Sequence, residues 1–340
     1  MSSARPVARA AGIAARLVPS RHGTILCFHG VEPESPRNVT SAHVSVRQLR
    51  ETLAMACAIA EPVPLRELIA RHVGARSTAG LFSVSFDDAY QSLATEAVRD
   101  SLAGIPSTFF VVTGASATGA AFWWDRVETL HAATSGSDWL RFERAIGLPD
   151  MYRTPASEAF GPLRPLRQWV LHQFAGRWPG HAADALDALE SATGAATPHR
   201  ALTFDEIDEL TRHRPIDIGV HTVSHPVLPL LADAEARSEI ARSFMTLKER
   251  WPAVVPWLAA PFGLYDDRSA RLAREAGLEG ICSLHPYTLA STSERHGLPR
   301  TNITEGVRAW RLGLRLSGLA PLIARPPANG PNYPGRPAPD

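Results

Sequence analysis

Two adjacent carboxylates, Asp87 and Asp88, follow the apolar run LFSVSF (81–86). Neighbouring carboxylates at the end of an apolar strand repel each other and cost desolvation free energy, so a function is one reason to keep them. A structural reason also exists, because Asp88 could cap the helix that follows, with Gln91 completing a capping box. Taken alone, this pair does not distinguish the two interpretations.

A pair of histidines, His221 and His225, follows the apolar run DIGV (217–220). Histidines at positions i and i+4 share one face of a helix and are close enough to hold one metal ion. The chain contains 13 histidines, so one such pair could arise by chance. Together with the aspartates, however, it supplies a facial set of two imidazoles and one carboxylate, plus a second carboxylate that could act as general base.

Two further strand ends carry polar or turn-forming residues. His29, in the run CFHG, is either a structural histidine at the sheet edge or a proton donor to the site. The segment 260–266 contains Pro261, Phe262 and Gly263 and is either a turn or a rigid loop. In the second case it would offer a backbone N–H group to an oxyanion.

Short apolar runs alternate with helical patterns along the chain, which indicates an α/β fold with a mainly parallel sheet. Chemistry in such folds collects at the carboxyl ends of the strands, where all these polar residues occur. The predicted strands are 24–28, 81–86, 107–112, 217–220, 257–260 and 280–284, and the predicted helices are 46–60, 90–102, 204–213, 233–250 and 267–276. The stretch of about 119–200 is interpreted as a helical insertion or lid rather than a separate domain.

Length and charge narrow the class of protein. The 340 residues suffice for one large α/β domain or two small ones, and a net charge of +1 without a basic stripe argues against a nucleic-acid partner. The three well-separated cysteines, Cys27, Cys57 and Cys282, are expected to be buried free thiols in a reducing compartment.

The ends of the chain are assigned separately. Residues 1–20 are expected to form a helical lead without a secretory signal, and no apolar run could span a membrane, which predicts a cytoplasmic location. Residues 21–305 form the predicted catalytic domain, and 306–340 a C-terminal helix with a disordered tail from 326. The segment 307–325 either packs on the domain or makes weak peripheral contact with a membrane.

These motifs, in this order, resemble those of polysaccharide deacetylases with a NodB-homology domain, carbohydrate esterase family four, and among them the exopolysaccharide (poly-N-acetylglucosamine) deacetylase branch. The resemblance extends from about Thr24 to Ile303. The motifs that carry it are Phe28-His29-Gly30-Val31, Ser85-Phe86-Asp87-Asp88-Ala89, Trp123-Trp124-Asp125-Arg126, His221 to His225, Pro261 to Asp266 and Leu298-Pro299-Arg300.

The resemblance implies a distorted (β/α) barrel, often seven-stranded in this family, with a helical insertion. It also implies one divalent metal ion, with zinc the first choice and Co²⁺, Ni²⁺ or Fe²⁺ as alternatives. The implied roles are general base for Asp87, metal ligands for Asp88, His221 and His225, general acid for His29, oxyanion or substrate loop for Pro261, Phe262 and Gly263, and substrate contacts for Trp123, Trp124 and Arg300.

The chain departs from the family pattern at three places. Ala89 stands where the usual residue is Gly, and Ala259 stands where many members have an Arg that orients the base. A second acid motif is only partly matched by Ser283-Leu284-His285, so His29 is ranked above His285 as the acid.

The function predicted from these residues is metal-dependent hydrolysis of an N-linked acetyl group on an amino sugar of a saccharide or glycoconjugate. The alternatives are a deformylase or deacetylase of a lipid-linked or nucleotide sugar, and a saccharide-binding homologue without turnover. A serine hydrolase is excluded because no Gly-x-Ser-x-Gly motif is present. The oligomeric state is left open.

Overall fold

A computed structural model of the protein describes residues 22–33, 43–152, 163–284, 289, 297–308, 312, 313 and 316. The predicted helical lead at 1–20, the predicted tail at 326–340 and His285 lie outside the described residues, as does most of the segment 307–325. Of that segment, Leu312 and Leu316 are described, and both are buried against the main core.

A curled parallel sheet forms the centre of the fold. The strands are β1 (Thr24–Phe28), β2 (Val31–Glu32), β3 (Val44–Ser45), β4 (Glu61–Pro62), β5 (Leu81–Asp87), β6 (Ser107–Val111), β7 (Ile216–Val220), β8 (Val255–Ala259), β9 (Gly280–Cys282), β10 (Gly297–Leu298) and β11 (Thr301–Asn302). In the main sheet they run in the order β10-β9-β8-β7-β6-β5-β1-β11, with β4 paired to β5, and β2 and β3 pair separately.

The two ends of this sheet are joined by one short segment. β10 pairs with β9, and β11 pairs with β1, yet only Pro299 and Arg300 separate β10 from β11. Residues 297–302 therefore act as one interrupted strand that connects both edges and curls the sheet. This arrangement confirms the predicted distorted (β/α) barrel.

Helices cover the outside of the sheet. They are α1 (Val46–Cys57), α2 (Leu65–Val73), α3 (Glu96–Ser101), α4 (Thr113–Thr118), α5 (Trp123–Ala133), α6 (Gly136–Ala145), α7 (Arg164–Gln173), α8 (Ala183–Thr193), α9 (Phe204–His213), α10 (Asp233–Arg250) and α11 (Asp267–Glu275). Short 3₁₀ turns occur at Gln91–Ala94, Asp150–Tyr152, Gly180–Ala182, Leu228–Leu230 and Pro261–Gly263.

The chemistry of the sequence accounts for these elements. The strands are continuous apolar runs because a parallel sheet covered by helices is buried on both faces; all five residues of β1 and of β6 are buried. α9 begins at the predicted Thr203 cap, where Thr203 and Glu206 form a reciprocal capping box. The helix predicted over 90–102 is instead a 3₁₀ turn and α3, because Thr95 between them has extended backbone.

The insertion has an apolar cluster of its own. Helices α5 to α8 lie between β6 and α9, and their buried side chains, including Trp139, Phe142 and Trp169, form a cluster separate from the one behind the sheet. Its internal core explains how a stretch broken by many Pro and Gly residues still forms stable helices. Within the described residues, no helix combines the length and apolar character needed to cross a membrane.

The cysteine prediction was correct at two of three positions. Cys27 and Cys282 are buried, as their places within strands require. The prediction was wrong for Cys57, which is exposed because it lies in the last turn of α1 on the side facing away from the sheet.

Candidate active site

The carboxyl ends of β1, β5, β7 and β8 open into one pocket of about 260 Å³. All strand-end residues that the sequence singled out for acid, base and metal roles line it. The lining residues are His29, Asp87, Asp88, Trp123, Trp124, Arg167, Leu171, His221, His225, Phe262 and Leu284.

Asp88, His221 and His225 present three potential metal-ligand atoms to one another. Asp88 Oδ1 lies 3.5 Å from Nε2 of His221 and 3.5 Å from Nε2 of His225. Ligand atoms about 2.0–2.2 Å from a shared tetrahedral zinc ion are separated by about 3.4 Å, so these spacings fit. All three residues are buried, and within the described residues Asp88 Oδ1 has no hydrogen-bond partner. A buried carboxylate oxygen without a partner is costly unless a cation satisfies it.

The tautomer of His221 supports the same assignment. Its Nδ1 lies 2.8 Å from the carbonyl oxygen of Ala259, which can only accept, so Nδ1 carries the proton. Nε2 therefore keeps its lone pair toward Asp88, the arrangement usual for a histidine ligand.

His221 and His225 lie close together for a different reason from the one predicted. Residues 221–227 form a loop and not a helix, so the expected shared helix face was wrong. Thr222 and His225 both adopt left-handed backbone, at φ 65° and φ 57°, and the N–H of His225 donates to Thr222 Oγ1 at 3.0 Å. The Glu239 carboxylate of α10 accepts two backbone N–H groups of this loop, at 3.0 and 2.9 Å.

Left-handed backbone at non-glycine residues is concentrated at the pocket. Among the described residues it occurs within the motifs at Asp88, Ala89, Thr222, His225 and Phe262, and outside them at Ala75 and Ala175. Such a conformation costs on the order of 1–3 kcal/mol and persists where the surroundings impose it, typically at functional sites. The φ of 50° at Ala89 explains why glycine is favoured at this motif position. Asp88 does not cap a helix, because the next turn begins at Gln91 and is preceded by Tyr90.

Asp87 is held by a buried arginine from the segment that joins the two sheet edges. Arg300 Nη1 and Nη2 donate to the two carboxylate oxygens of Asp87 at 2.6 and 2.8 Å, and its Nε donates to Ser283 O at 3.1 Å. Its guanidinium also lies 5.1 Å above the ring of Phe110. Arg300 has no exposed surface and does not line the pocket, so it can reach a substrate only through Asp87.

Arg300 thus places a guanidinium against Asp87 in a chain that has Ala at position 259. The sequence analysis assigned Arg300 to substrate contact, whereas its side chain is fully buried and bonds Asp87. The contact itself joins residues 213 positions apart, which periodicity cannot predict.

Burial and the ion pair between Asp87 and Arg300 determine which of these groups in the pocket are charged. Burial raises the pKa of Asp87, but the Arg300 guanidinium outweighs it and holds that pKa well below its usual range. Burial lowers the pKa of His29 to about 4 and also lowers the pKa values of His221 and His225. At neutral pH the pocket therefore contains an ionised Asp87 and neutral imidazoles, the form in which histidine binds metals.

Side chains from the insertion form one wall of the pocket. Trp124 donates its indole N–H to Tyr90 Oη at 2.8 Å and packs on the His225 ring at 4.9 Å. Trp123 donates to the carbonyl oxygen of Gly176 at 2.8 Å. Trp139, in contrast, lies in the core of the insertion, away from the pocket.

Three lining residues were not anticipated from the sequence. Arg167 and Leu171 extend from α7, and Arg167 is ion-paired with Glu128 of α5. Leu284 follows β9 and lies against Gly263, where an added Cβ would be 2.7 Å from the Leu284 Cβ. No sequence pattern around these three residues distinguishes them from core or surface residues.

The loop 261–263 is shaped by a left-handed residue at its centre. Phe262, at φ 56°, lies between Pro261 and Gly263, and its ring packs on His225 at 4.5 Å. The loop therefore turns the Phe262 backbone sharply beside a proposed metal ligand.

Comparisons with known proteins agree with this fold. The polysaccharide deacetylase family model matches residues 179–281, which include the histidine motif and the loop 261–266. Nothing among the curated proteins matches the chain.

Solved structures of deacetylases share the fold. The Streptococcus pyogenes deacetylase PplD, in complex with acetate, has a TM-score of 0.57 and 14% identity, with coverage of 87% of this chain and 99% of PplD. IcaB from Ammonifex degensii has a TM-score of 0.54 and 16% identity, covering 88% and 97%. A de-N-acetylase from Aggregatibacter actinomycetemcomitans has a TM-score of 0.50 and 12% identity, covering 86% and 100%. The predicted resemblance to polysaccharide deacetylases of the NodB-homology type is confirmed.

Proposed function

We propose that this protein is a metal-dependent hydrolase that removes an N-linked acetyl group from an amino sugar of a saccharide or glycoconjugate. The observation that carries the proposal is the convergence of Asp87, Asp88, His221, His225 and His29 on one pocket. This set combines a metal-ligand triad, a separate ionised carboxylate and an imidazole, which a binding protein does not require.

Asp88 and the Nε2 atoms of His221 and His225 are the proposed ligands of one divalent ion. Zinc is the first choice for this donor set, although Co²⁺, Ni²⁺ and Fe²⁺ also accept two imidazoles and a carboxylate. When bound, such an ion polarises a carbonyl group and lowers the pKa of water.

Asp87 is the proposed general base. Its bidentate contact with Arg300 keeps it ionised and directs the carboxylate, at the end of β5, toward the pocket. Arg300 is therefore a positioning residue, because it acts through Asp87 and has no exposed surface.

His29 is the proposed proton donor to the leaving nitrogen, and the Phe262 N–H the proposed oxyanion donor. Because the pKa of His29 is lowered to about 4, its ring is neutral before the reaction and must gain a proton in the pocket. Asp87, which takes a proton from the attacking water, lines the same pocket and is the proposed source.

The walls of the pocket suit a single sugar ring. Its volume of about 260 Å³ lies below the range of roughly 300–1,000 Å³ typical of small-molecule sites. The rings of Trp123, Trp124 and Phe262 offer apolar faces on which the C–H groups of a sugar could stack. We therefore favour binding of one N-acetylated residue at a time.

Acetate release from N-acetylglucosamine oligomers, by protein loaded with Zn²⁺ or Co²⁺, tests the proposal. Asp87→Asn and Asp88→Asn are a matched pair, because both are isosteric changes in adjacent residues. We expect Asp87→Asn to retain the metal and lose activity, and Asp88→Asn to lose both. Metal-loaded wild-type protein that releases no acetate from these oligomers would contradict the proposed substrate, and activity retained in Asp87→Asn would contradict the proposed base.

A further inference from the structure

A second cluster of metal-ligand side chains lies outside the active site. It consists of Glu32 at the end of β2, His43 immediately before β3, and His199 in the segment that leads from the insertion to α9. Potential ligand atoms of all three lie within 4.8 Å of one another. The proposed function uses none of these residues.

The spacing of the donor atoms fits one metal ion. Glu32 Oε1 lies 3.0 Å from His43 Nδ1 and 3.2 Å from His199 Nδ1, so both imidazoles approach the same oxygen. The two rings are 4.4 Å apart at an angle of 71°. The two nitrogen–oxygen distances are close to the separation of about 3.4 Å between two ligand atoms of a tetrahedral zinc ion.

A second carboxylate lies near the other ring nitrogen of His43. Asp125 Oδ1 lies 3.8 Å from His43 Nε2, and both side chains are fully buried. Asp125 is itself held by Tyr90, whose hydroxyl donates to Oδ2 at 2.7 Å. At 3.8 Å the two groups do not form a hydrogen bond, so Asp125 contributes negative charge near His43 rather than fixing the orientation of its ring.

The charges of this group also favour a cation. Two carboxylates, Glu32 and Asp125, lie beside the two imidazoles, so a cation bound at the Glu32 oxygen would have two anionic neighbours. Glu32 and His199 are partly exposed, at 22% and 11%, which leaves access for an ion and for a water ligand.

We propose that Glu32, His43 and His199 bind a second divalent metal ion, of the zinc type, with the remaining position open to water. This ion would join the strand that follows His29 to the segment that returns from the insertion. The connection to the active site is short, because an added Cβ at Gly30 would lie 2.5 Å from the His43 ring. The second site thus supports the backbone next to the proposed acid.

Metal stoichiometry of the full chain tests this proposal. The protein is loaded with Zn²⁺, dialysed and analysed by mass spectrometry of the metal content. We expect two ions per chain in the wild type, one in His199→Ala, one in Asp88→Asn and none in the double variant. The matched control is His213→Ala, which removes a surface histidine that also pairs with a glutamate, Glu209, at 3.0 Å and should leave two ions.

The outcomes separate the two sites. One ion in the wild type that disappears in His199→Ala and persists in Asp88→Asn would support the second site and contradict the first. An unchanged metal count in His199→Ala, with one ion or with two, would overturn the inference. The thermal unfolding midpoint of each metal-free variant, compared with that of the wild type, shows whether a variant lost its ion because it failed to fold. Glu32→Gln is a more conservative change in the same site, and we expect it to lose one ion as well.

Discussion

Replacing Arg300 by Gln should destabilise the protein strongly, because it leaves the Asp87 charge buried without its partner. Arg300 and Asp87 are exposed by 0% and 1%, and two short hydrogen bonds join them. Glutamine keeps polar atoms of similar reach but removes the charge and the paired donors. The change therefore tests whether the ion pair, rather than general packing, holds the proposed base Asp87 in place.

The expected magnitude follows from the contacts. Hydrogen bonds to charged groups contribute about 1.5–3 kcal/mol each, so the two bonds to Asp87 amount to about 3–6 kcal/mol. Removal of one partner from a buried ion pair typically costs about 3–5 kcal/mol, most of it the penalty of the remaining charge. We expect the free energy of unfolding to fall by about 4 kcal/mol in Arg300→Gln.

A double-mutant cycle tests whether the unpaired charge of Asp87 causes the loss of stability. If the isolated carboxylate accounts for the loss, the double variant Asp87→Asn with Arg300→Gln should be about 2 kcal/mol more stable than Arg300→Gln alone, since no buried charge remains. Urea unfolding with a chelator present measures this without any contribution from bound metal.

The matched control is Arg66→Gln, which removes a guanidinium that bonds both oxygens of Asp217 on the surface. Arg66 is 48% exposed, so we expect a loss of no more than about 1 kcal/mol. If the double variant were no more stable than Arg300→Gln, or if Arg66→Gln cost as much, the reasoning from a buried charge would be refuted.

Two further substitutions test the proposed general acid and the dependence of stability on pH. His29→Gln should lower kcat about 10²–10⁴-fold with unchanged metal content, whereas His285→Gln should leave kcat within about twofold; the opposite pattern would transfer the acid role to His285. Glu206→Gln should reduce the free energy of unfolding by about 1 kcal/mol at pH 7, a value discounted for solvent screening. Its hydrogen bond with Arg200 lowers the folded-state pKa from 4.5 to about 2, so this stabilisation is present above pH 4.5 and is lost as the pH falls toward 2. Urea unfolding of both proteins at several pH values should show the difference shrinking below pH 4.5, and a difference that stays constant would exclude the charge as its source.

Local chemistry made much of the fold predictable from the sequence. Continuous apolar runs identified the buried parallel strands, and the Thr203 capping box located the start of α9. Because the carboxyl ends of parallel strands meet at one edge, the aspartate and histidine pairs could be expected in one place. That expectation needed only the order of the strands and no knowledge of the intervening chain.

Backbone conformation in the loops was not predictable in the same way. The histidine pair has the spacing of a helix face, yet Thr222 and His225 adopt left-handed backbone in a loop held by Glu239. Their φ values are imposed by contacts with α10 rather than by the residues' own preferences. The pattern therefore paired two histidines that do lie close together, but not because they share a helix face.

The sequence by itself determined the strand–helix alternation, the candidate acid, base and metal ligands and the family resemblance, because these depend on local patterns and motif order. Only the tertiary structure placed Arg300 behind Asp87 and gathered Glu32, His43 and His199. It also decided that Trp124 faces the pocket while Trp139 lies in the core of the insertion. The physical reason is that these contacts join positions far apart in the chain, and their geometry depends on how the sheet curls and closes through residues 297–302.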